Sequence, residues 1–250
     1  MKILAVFDTG PGIVGLYEKH IDNLNYYVDD KFEYYGLYKR KDVNDRIEFL
    51  KSFFKKDKKI YVMDFDAINF FKNSSKAEFG ESSLRKNLKD KKVLCLSTPL
   101  TFFEKSLDYF SNGKVDYISV PILINASNDG VADEIVRKIC DEYFCKVDLK
   151  NYDLIFLASS GLHLKKDFFK NYFCDKEIFS NTDAILEDYE YRKENYIRDY
   201  FYVTYSKRGF YSRGEKYLRE KNILKRNEIL NVSKLLKKDN KKSPNKWDNM

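Results

Sequence analysis

Short apolar runs alternate with longer amphipathic segments along most of the chain, and no other sequence feature restricts the fold as much. Six apolar runs have the length of buried strands: residues 2–7, 25–28, 59–65, 91–97, 115–124 and 152–161. Between them, apolar residues recur at helical spacing in residues 12–24, 43–56, 99–110 and 129–144. This alternation predicts an α/β fold with mostly parallel sheets.

Polar residues follow four of the predicted strands. Parallel α/β sheets bind their ligands at the carboxyl ends of strands, so these residues are the first candidates for a functional site. They are Asp8-Thr9-Gly10, Asp64-Phe65-Asp66, Ser97-Thr98 and Ser159-Ser160-Gly161.

The polar stretch 80–92 predicts a junction between two α/β halves. Towards the C-terminus, residues 199–206 alternate like an edge strand and residues 212–222 have the pattern of a last helix. The net charge is +7, and residues 207–250 hold 14 basic against five acidic residues. Such a tail can contact nucleic acid, but it is more often a solvated end. We therefore predict a basic, disordered tail over residues 224–250 and no nucleic-acid partner.

The four cysteines, Cys95, Cys140, Cys145 and Cys174, form no C-x-x-C pair and no zinc pattern. The apolar start of the chain ends at Asp8, too early for an export signal. No apolar run approaches the roughly 18 residues that a membrane helix needs. These features predict a cytoplasmic protein with reduced thiols and no membrane contact.

Two carboxylate motifs suggest enzyme classes that other features disfavour. Asp8-Thr9-Gly10 has the motif of aspartic proteases, which need two carboxylates that share one proton. The chain has no second Asp-Thr-Gly motif to supply the other carboxylate. Asp64 and Asp66 resemble the nucleophile and Mg²⁺ ligands of haloacid-dehalogenase-type phosphotransferases. That pattern has Thr or Val where Ile68 stands, and it normally opens a domain, so we predict no metal site.

A serine hydrolase is also disfavoured. Ser159, Ser160 and His163 lie close together, but the chain has no G-x-S-x-G nucleophile elbow there. We expect both histidines, His20 and His163, to be surface or packed side chains.

Six segments, in order and spacing, resemble glutamate racemase of the aspartate/glutamate racemase superfamily. "VFDTGPGIVGL" is similar to the family's first strand and D-S-G-x-G-G turn, and "YYVDDKFEYYG" to the strand that leads to its substrate-binding Y-G. "IYVMDFDAI" falls where the family has A-C-N-T, and "FLASSGLHLK" where it has G-C-T-H. "LSTPLT" resembles the strand that opens the second domain, and "ISVP" its apolar-Pro segment. The resemblance covers roughly residues 3–220.

This resemblance implies two pseudo-symmetric α/β domains with an interdomain cleft. We expect the first domain at residues 1–90 plus 205–223, with a C-terminal helix returning to it, and the second at 91–204. In the family, one cysteine from each domain faces the substrate's α-carbon, and the two thiols exchange its proton without a cofactor. The matching catalytic positions are Asp8, Asp64 and Ser159 (or Ser160, with a one-residue gap). The matching substrate-binding positions are Thr9, Tyr35, Gly36, Asp66 and Ser160.

The chain departs from the family at the reacting groups. Asp64 and Ser159 stand where the cysteines belong, and the family's His falls on Gly161. A serine hydroxyl is too weak an acid to replace a thiol without an activating partner. An ordinary carboxyl, with a pKa of about 3.9, is poorly matched to an α-proton unless burial raises that pKa. Added carboxylates would also repel glutamate.

Three hypotheses follow for the function. The first is a degenerate family member, a pseudoenzyme that binds a ligand or a partner such as an active paralogue or a second copy. The second is an altered enzyme that uses Asp64 or Asp66 on a less acidic or cationic substrate. The third is an amino-acid racemase that supplies D-glutamate for peptidoglycan. For each of them we expect a small ligand in the cleft and no cofactor.

Overall fold

The computed structural model describes residues 4–17, 24–29, 36, 38–51, 59–71, 74–188, 200–203 and 228–231. Within these residues, ten strands form two sheets in which all the paired strands are parallel. The first sheet contains β1 (Leu4–Asp8), β2 (Leu24–Val28), β3 (Lys59–Val62), β4 (Ala77–Glu78), β9 (Tyr200–Val203) and β10 (Glu228–Asn231). The second contains β5 (Val93–Ser97), β6 (Val115–Ser119), β7 (Leu154–Leu157) and β8 (Glu177–Ser180).

Ten helices connect and cover these strands in the described part of the chain. They are α1 (Val14–Tyr17), α2 (Arg40–Lys51), α3 (Ile68–Phe71), α4 (Glu81–Leu88), α5 (Pro99–Glu104), α6 (Pro121–Asn128), α7 (Asp133–Phe144), α8 (Ser160–His163), α9 (Lys166–Tyr172) and α10 (Asn181–Asp188). Short 3₁₀ turns occupy Pro11–Ile13, Phe65–Ala67, Ser106–Tyr109 and Leu149–Asn151. Proline at the first helical position fixes where α5 and α6 begin, because its missing N–H is not needed there.

The strand order of the first sheet is repeated in the second. β2-β1-β3-β4 in one corresponds to β6-β5-β7-β8 in the other, and β9 and β10 extend the first sheet beyond β2. In each repeat, the second strand lies on one side of the first strand and the third strand lies on the other side. This reversal creates a topological switch point beside β1 and beside β5. The predicted α/β class with two related halves is confirmed. We call residues 4–78 the first half and residues 93–188 the second half.

Several elements differ from the sequence prediction. The stretch 80–92, expected as a junction, contains α4, which packs against α10. The expected helix over 99–110 stops at Glu104, because Lys105 adopts a left-handed conformation with φ 48°. Strand β9 pairs with β2 and β10, so it is an inner strand.

The two C-terminal strands also bear on the expected domain boundaries, which remain a prediction. β9 falls in the range expected for the second domain, yet it belongs to the first sheet. β10 forms inside the range expected to be disordered. Both strands extend an open edge beside β2, and a short alternating segment does not indicate which sheet edge it will join. The helix expected at residues 212–222 lies outside the described residues.

One apolar cluster contains side chains from both sheets. It includes Phe7 and Val62 of the first sheet together with Cys95 and Phe156 of the second. Phe65 links the two, because its ring centroid lies 5.4 Å from that of Phe156 and 6.3 Å from that of Phe110. The halves are therefore joined by a buried apolar interface. Among the described helices, none combines the length and apolar character needed to cross a membrane.

Candidate functional site

The candidate site lies where the carboxyl ends of the two sheets meet. Asp8 ends β1 and Asp64 follows β3, so they flank the switch point of the first sheet. Thr98 follows β5 and Ser160 begins α8 after β7, so they flank the corresponding point of the second sheet. The repeated topology thus brings carboxyl groups from one half against hydroxyl groups from the other.

Asp8 is fully buried and contacts the second half directly. Its Oδ1 accepts hydrogen bonds from the backbone amide of Thr9 at 2.8 Å and from the Ser160 hydroxyl at 2.9 Å. Its Oδ2 is buried without a hydrogen-bond partner among the described residues. Burial raises the pKa of Asp8 from 3.8 to about 7, although the bonds from Ser160 and Thr9 act in the opposite direction.

Asp64 caps the 3₁₀ turn that follows β3. Its Oδ1 accepts from the amides of Asp66 at 2.8 Å and Ala67 at 3.3 Å, and its Oδ2 accepts from the Thr9 hydroxyl. Asp is a favoured N-cap residue because its carboxylate satisfies the free amides of a first turn. Burial, followed by the charges of Asp66 and Asp8, nevertheless raises the pKa of Asp64 well above its usual value.

Asp66 binds the start of α5 in the second half. Its Oδ1 accepts from the hydroxyls of Thr98 and Thr101, the latter at 2.6 Å. The backbone amides of Thr101 and Gly36 also stabilise its charged form. Burial outweighs these bonds and raises the pKa of Asp66 to about 6.

The backbones of the two halves approach closely at two glycines. A Cβ atom on Gly12 would lie 2.3 Å from the Ser160 hydroxyl oxygen and 2.4 Å from the Ser160 carbonyl carbon. A Cβ atom on Gly36 would lie 2.2 Å from Cβ of Thr98. Only a residue without a side chain fits at either position, so the glycines allow the contacts of Asp8 and Asp66 across the interface.

The site has an excess of hydrogen-bond acceptors. Within the described chain, no lysine or arginine contributes to the pKa shifts of Asp8, Asp64 or Asp66. Three further buried oxygens have no partner among the described residues: Asn128 Oδ1, Asn181 Oδ1 and Thr182 Oγ1. Buried acceptors are costly unless a donor satisfies them, so this region suits a donor-bearing ligand or ordered water.

These additional polar residues come from the second half. Asn128 ends α6, and its Oδ1 would lie 2.1 Å from a Cβ atom on Gly161. Asn181 begins α10 and donates from its amide to the carbonyl oxygens of Val62 and Met63, at 3.2 and 3.0 Å, directly before Asp64. The described residues include no cluster of three or more His, Cys, Asp or Glu side chains arranged to hold a metal ion.

Most of the site residues expected from the sequence come together. Asp8, Thr9, Asp64, Asp66, Ser160 and Gly36 share one network. Ser160 contacts Asp8, whereas Ser159 is half-buried and its side chain makes no capping hydrogen bond to α8. Tyr35 lies outside the described residues. The catalytic and substrate-binding roles of these residues remain predictions.

Sequence reasoning missed Thr101, Asn128, Asn181 and Thr182. Thr101 lies three residues after the N-cap Thr98, a spacing that could have identified it. The other three carry no local motif. Asn128 is the last residue of a helix, and Asn181 and Thr182 follow β8, a strand that the apolar pattern did not reveal.

The remaining candidate reactive groups are the cysteines and His163, and Cys95 is near enough to the network that the charge of Asp66 adds to the effect of burial on its pKa. Cys95 is buried in the shared apolar cluster and Cys140 in α7, and burial raises the pKa of both thiols. Cys145 and Cys174 are exposed. His163 Nδ1 lies 2.8 Å from Ser180 Oγ, and Ser180 in turn donates to Asp183 at 2.7 Å. Because the serine stands between the histidine and the carboxylate, this is a packing contact rather than a catalytic triad.

No protein-family model and no curated protein matches the sequence. Solved structures of glutamate racemases do match the fold. Glutamate racemase isoform RacE1 from Bacillus anthracis is 17% identical with a TM-score of 0.73, over 92% of this chain and 97% of the other. The Thermus thermophilus enzyme, solved with β-chloro-D-alanine, is 14% identical with a TM-score of 0.74, over 92% and 97%.

A third glutamate racemase, from Francisella tularensis in complex with D-glutamate, is 16% identical with a TM-score of 0.70, over 93% of this chain and 98% of the other. These matches extend along almost the full length of both chains. The chain therefore has the two-domain α/β fold of the glutamate racemases.

Proposed function

We propose that this protein does not racemise glutamate through thiols, and that the region between its halves binds a small ligand without catalysing the family's reaction. One observation supports this most strongly. At the expected thiol positions, Asp64 caps a turn, and Ser160, the alternative to Ser159, donates a hydrogen bond to Asp8. Neither side chain is a group that exchanges an α-proton as a thiol pair does.

The location of the four cysteines supports the same conclusion. A catalytic thiol needs access to the substrate and a pKa near or below its free value. Cys95 and Cys140 are buried and their pKa values are raised, so they stay protonated. The other two, Cys145 and Cys174, are exposed and follow α7 and α9, elements that do not form the network.

The excess of acceptors indicates the class of ligand. Glutamate would bring two carboxylates towards three buried carboxyl groups, and like charges at short range are unfavourable. An amine, or a neutral molecule with several N–H or O–H donors, would satisfy the unpartnered oxygens of Asp8 and Asn128. We therefore expect the site to prefer cationic or donor-rich ligands over dicarboxylates.

Incubation with L-glutamate and D-glutamate in deuterium oxide tests the catalytic part. We expect no α-proton exchange above the rate without protein. The double variants Asp64→Cys/Ser159→Cys and Asp64→Cys/Ser160→Cys, which place a thiol at each expected position, are the matched comparison. Enzyme-like exchange by the natural sequence would contradict the proposal. Ligand-observed NMR with a series of amines and with glutamate tests the binding part, and tighter binding of glutamate than of every amine would contradict the expected preference.

A second candidate is an acid–base enzyme that uses carboxyl groups. The pKa of Asp8 is raised to about 7 and its Oδ2 has no partner among the described residues, so it could exchange a proton near neutral pH. This function predicts α-proton exchange with a cationic or neutral amino acid, lost in Asp8→Asn and retained in Asp167→Asn, whose side chain is 94% exposed. Absence of exchange across such substrates would exclude it.

A further inference from the structure

Several polar contacts between the halves depend on carboxyl groups at one edge of the interface, whereas Asn181 donates to backbone carbonyl oxygens and Asn69 donates to Ser106. Asp8 accepts from Ser160, and Asp66 accepts from Thr98 and Thr101. We call these five residues the latch. Each contact pairs an acid of the first half with a hydroxyl of the second half, and each acid is buried, with 0% exposure for Asp8 and 4% for Asp66.

The surroundings of the latch offer no compensating positive charge in the described chain. Asp64, from the turn after β3, faces both Asp8 and Asp66 and raises the local negative charge. Burial, together with the charge of Asp66, raises the pKa of Cys95 on β5, so this thiol stays protonated and supplies no positive charge. Arg46 on α2, near the end of β2, is engaged with Asp29 through two bonds of 2.9 and 2.6 Å.

The remaining charged groups near this edge are already paired. His163 on α8 packs against Gly15 of α1, and its Nδ1 contacts Ser180, whose neighbour Asp183 pairs with Lys166 at 2.5 Å. Glu104 on α5 forms an ion pair with Arg40 on α2. Among the described residues, Asp8, Asp64 and Asp66 are the carboxyl groups of this interface whose pKa values burial raises.

We propose that closure of the latch is linked to proton binding, so that the two halves meet over protonated Asp8 and Asp66 and separate there when these acids ionise. Three buried carboxylates close together, with no cation beside them in the described part of the chain, repel one another and lose their hydration, whereas separation returns them to water. The apolar cluster around Phe65 does not titrate, so it holds the sheets together while the polar edge opens.

The pKa shifts give the direction and size of this linkage. In the closed form the pKa is about 7 for Asp8 and about 6 for Asp66, and in an open, hydrated form both return towards 3.8. The closed form therefore binds more protons between these limits, and it is favoured at low pH. Between pH 3.8 and its raised pKa, each carboxyl group changes the ratio of the closed form to the open form about tenfold per pH unit. Asp8 alone predicts a change on the order of a hundredfold between pH 5 and pH 8.

Hydrogen exchange on the full chain tests the latch. The backbone amide of Thr101, in the second half, bonds to Asp66 of the first half, so its exchange reports separation of the halves at the latch. Amides of β5, paired between β6 and β7, report global unfolding. After correction for intrinsic exchange, we expect the opening constant at Thr101 to rise on the order of a thousandfold from pH 5 to pH 8, about a hundredfold from Asp8 and about tenfold from Asp66. The β5 amides should change much less.

Two variants test whether the pH dependence of opening comes from Asp8 and Asp66. Asp8→Asn/Asp66→Asn keeps Asp64 as the remaining acid of the network, so its opening constant should rise much less than that of the natural sequence over the same range. Asp167→Asn removes an exposed carboxylate elsewhere and should behave as the natural sequence does. A flat profile in the natural sequence, or an equal rise in the double variant, would overturn the proposal. Either outcome is independent of whether glutamate exchange occurs.

Discussion

At the scale of single residues, burial has the largest effect on the pKa values of the three acids in the candidate site. Asp8, Asp64 and Asp66 each accept two or more hydrogen bonds that favour the charged form, yet the pKa of each is raised. Desolvation thus outweighs hydrogen bonding at all three positions, as expected for carboxyl groups without a cationic partner. The pKa is about 7 for Asp8 and about 6 for Asp66, and the pKa of Asp64 is raised well above its usual value.

Replacing Ser160 by alanine tests the contact between Asp8 and the second half. The change leaves Asp8 Oδ1 with only the Thr9 amide, and it should lower the free energy of unfolding by about 1–2 kcal/mol, the cost of an unmade buried hydrogen bond. Because the Ser160 bond lowers the pKa of Asp8, that pKa should rise further. Urea unfolding measures the first effect and carboxyl NMR titration measures the second.

Ser159→Ala is the matched control, since Ser159 is adjacent but makes no capping bond. It should change the free energy of unfolding by less than about 0.5 kcal/mol. If the two variants lose equal stability, the assignment of the Asp8 contact to Ser160 is wrong.

Replacing Asp8 by asparagine should flatten the pH dependence of stability. The folded protein binds a proton at Asp8 up to about pH 7, whereas the unfolded chain releases it near pH 3.8, so stability falls as pH rises between these values. From pH 5 to pH 8, Asp8 accounts for a loss of about 2–3 kcal/mol. Denaturant titrations of Asp8→Asn should lack this loss, while Asp167→Asn should retain it. An unchanged slope in Asp8→Asn would show that Asp8 is not buried as described.

The sequence could not predict which of Ser159 and Ser160 contacts Asp8. Both residues follow the end of β7, where the two-residue periodicity of a strand no longer determines which side a residue faces. Asp8 and Asp64 were predictable because each directly follows an apolar run. The partners Asn128 and Asn181 were not, because tertiary packing alone brings them to the site.

At the scale of elements, the turn Phe65–Ala67 has two functions. Its cap, Asp64, and its second residue, Asp66, supply carboxyl groups, and its first residue, Phe65, enters the apolar cluster shared by both sheets. A single 3₁₀ turn therefore couples the polar site to the interface that holds the halves together.

Phe65→Ala should destabilise the protein by about 3–5 kcal/mol, the usual cost of removing a buried aromatic ring from a packed core. Phe103→Ala is the control, because Phe103 on α5 is 80% exposed, and it should change stability by less than about 0.5 kcal/mol. Thermal and urea unfolding measure both. A small effect at Phe65 would mean that the halves are not joined through this ring.

Element types were predictable where periodicity is strong, as in β1, β5, β7, α2 and α7. Other elements were missed for physical reasons. β8 is only four residues long and begins with an exposed glutamate, so it gives a weak apolar signal. The end of α5 at Lys105 could not be predicted, because the residue that ends a helix in a left-handed conformation is usually glycine or asparagine.

At the scale of the whole molecule, the repeated strand order explains how a site forms without a local signature. Each repeat places its switch point beside its first strand, and the two switch points face each other across the interface. The fold class was predictable from the alternation of strands and helices. The placement of β9 and β10 in the first sheet depends on long-range pairing, which local patterns do not encode.

The central claim is that a racemase fold is retained here without thiol chemistry. Its most direct test is the exchange of the glutamate α-proton in deuterium oxide, followed by NMR for each enantiomer beside a glutamate racemase that has both thiols. We predict exchange by that enzyme and none above background for this protein between pH 6 and pH 9. Exchange at an enzyme-like rate, lost in Asp64→Asn or Ser160→Ala, would contradict the claim and would show that these side chains replace the thiols.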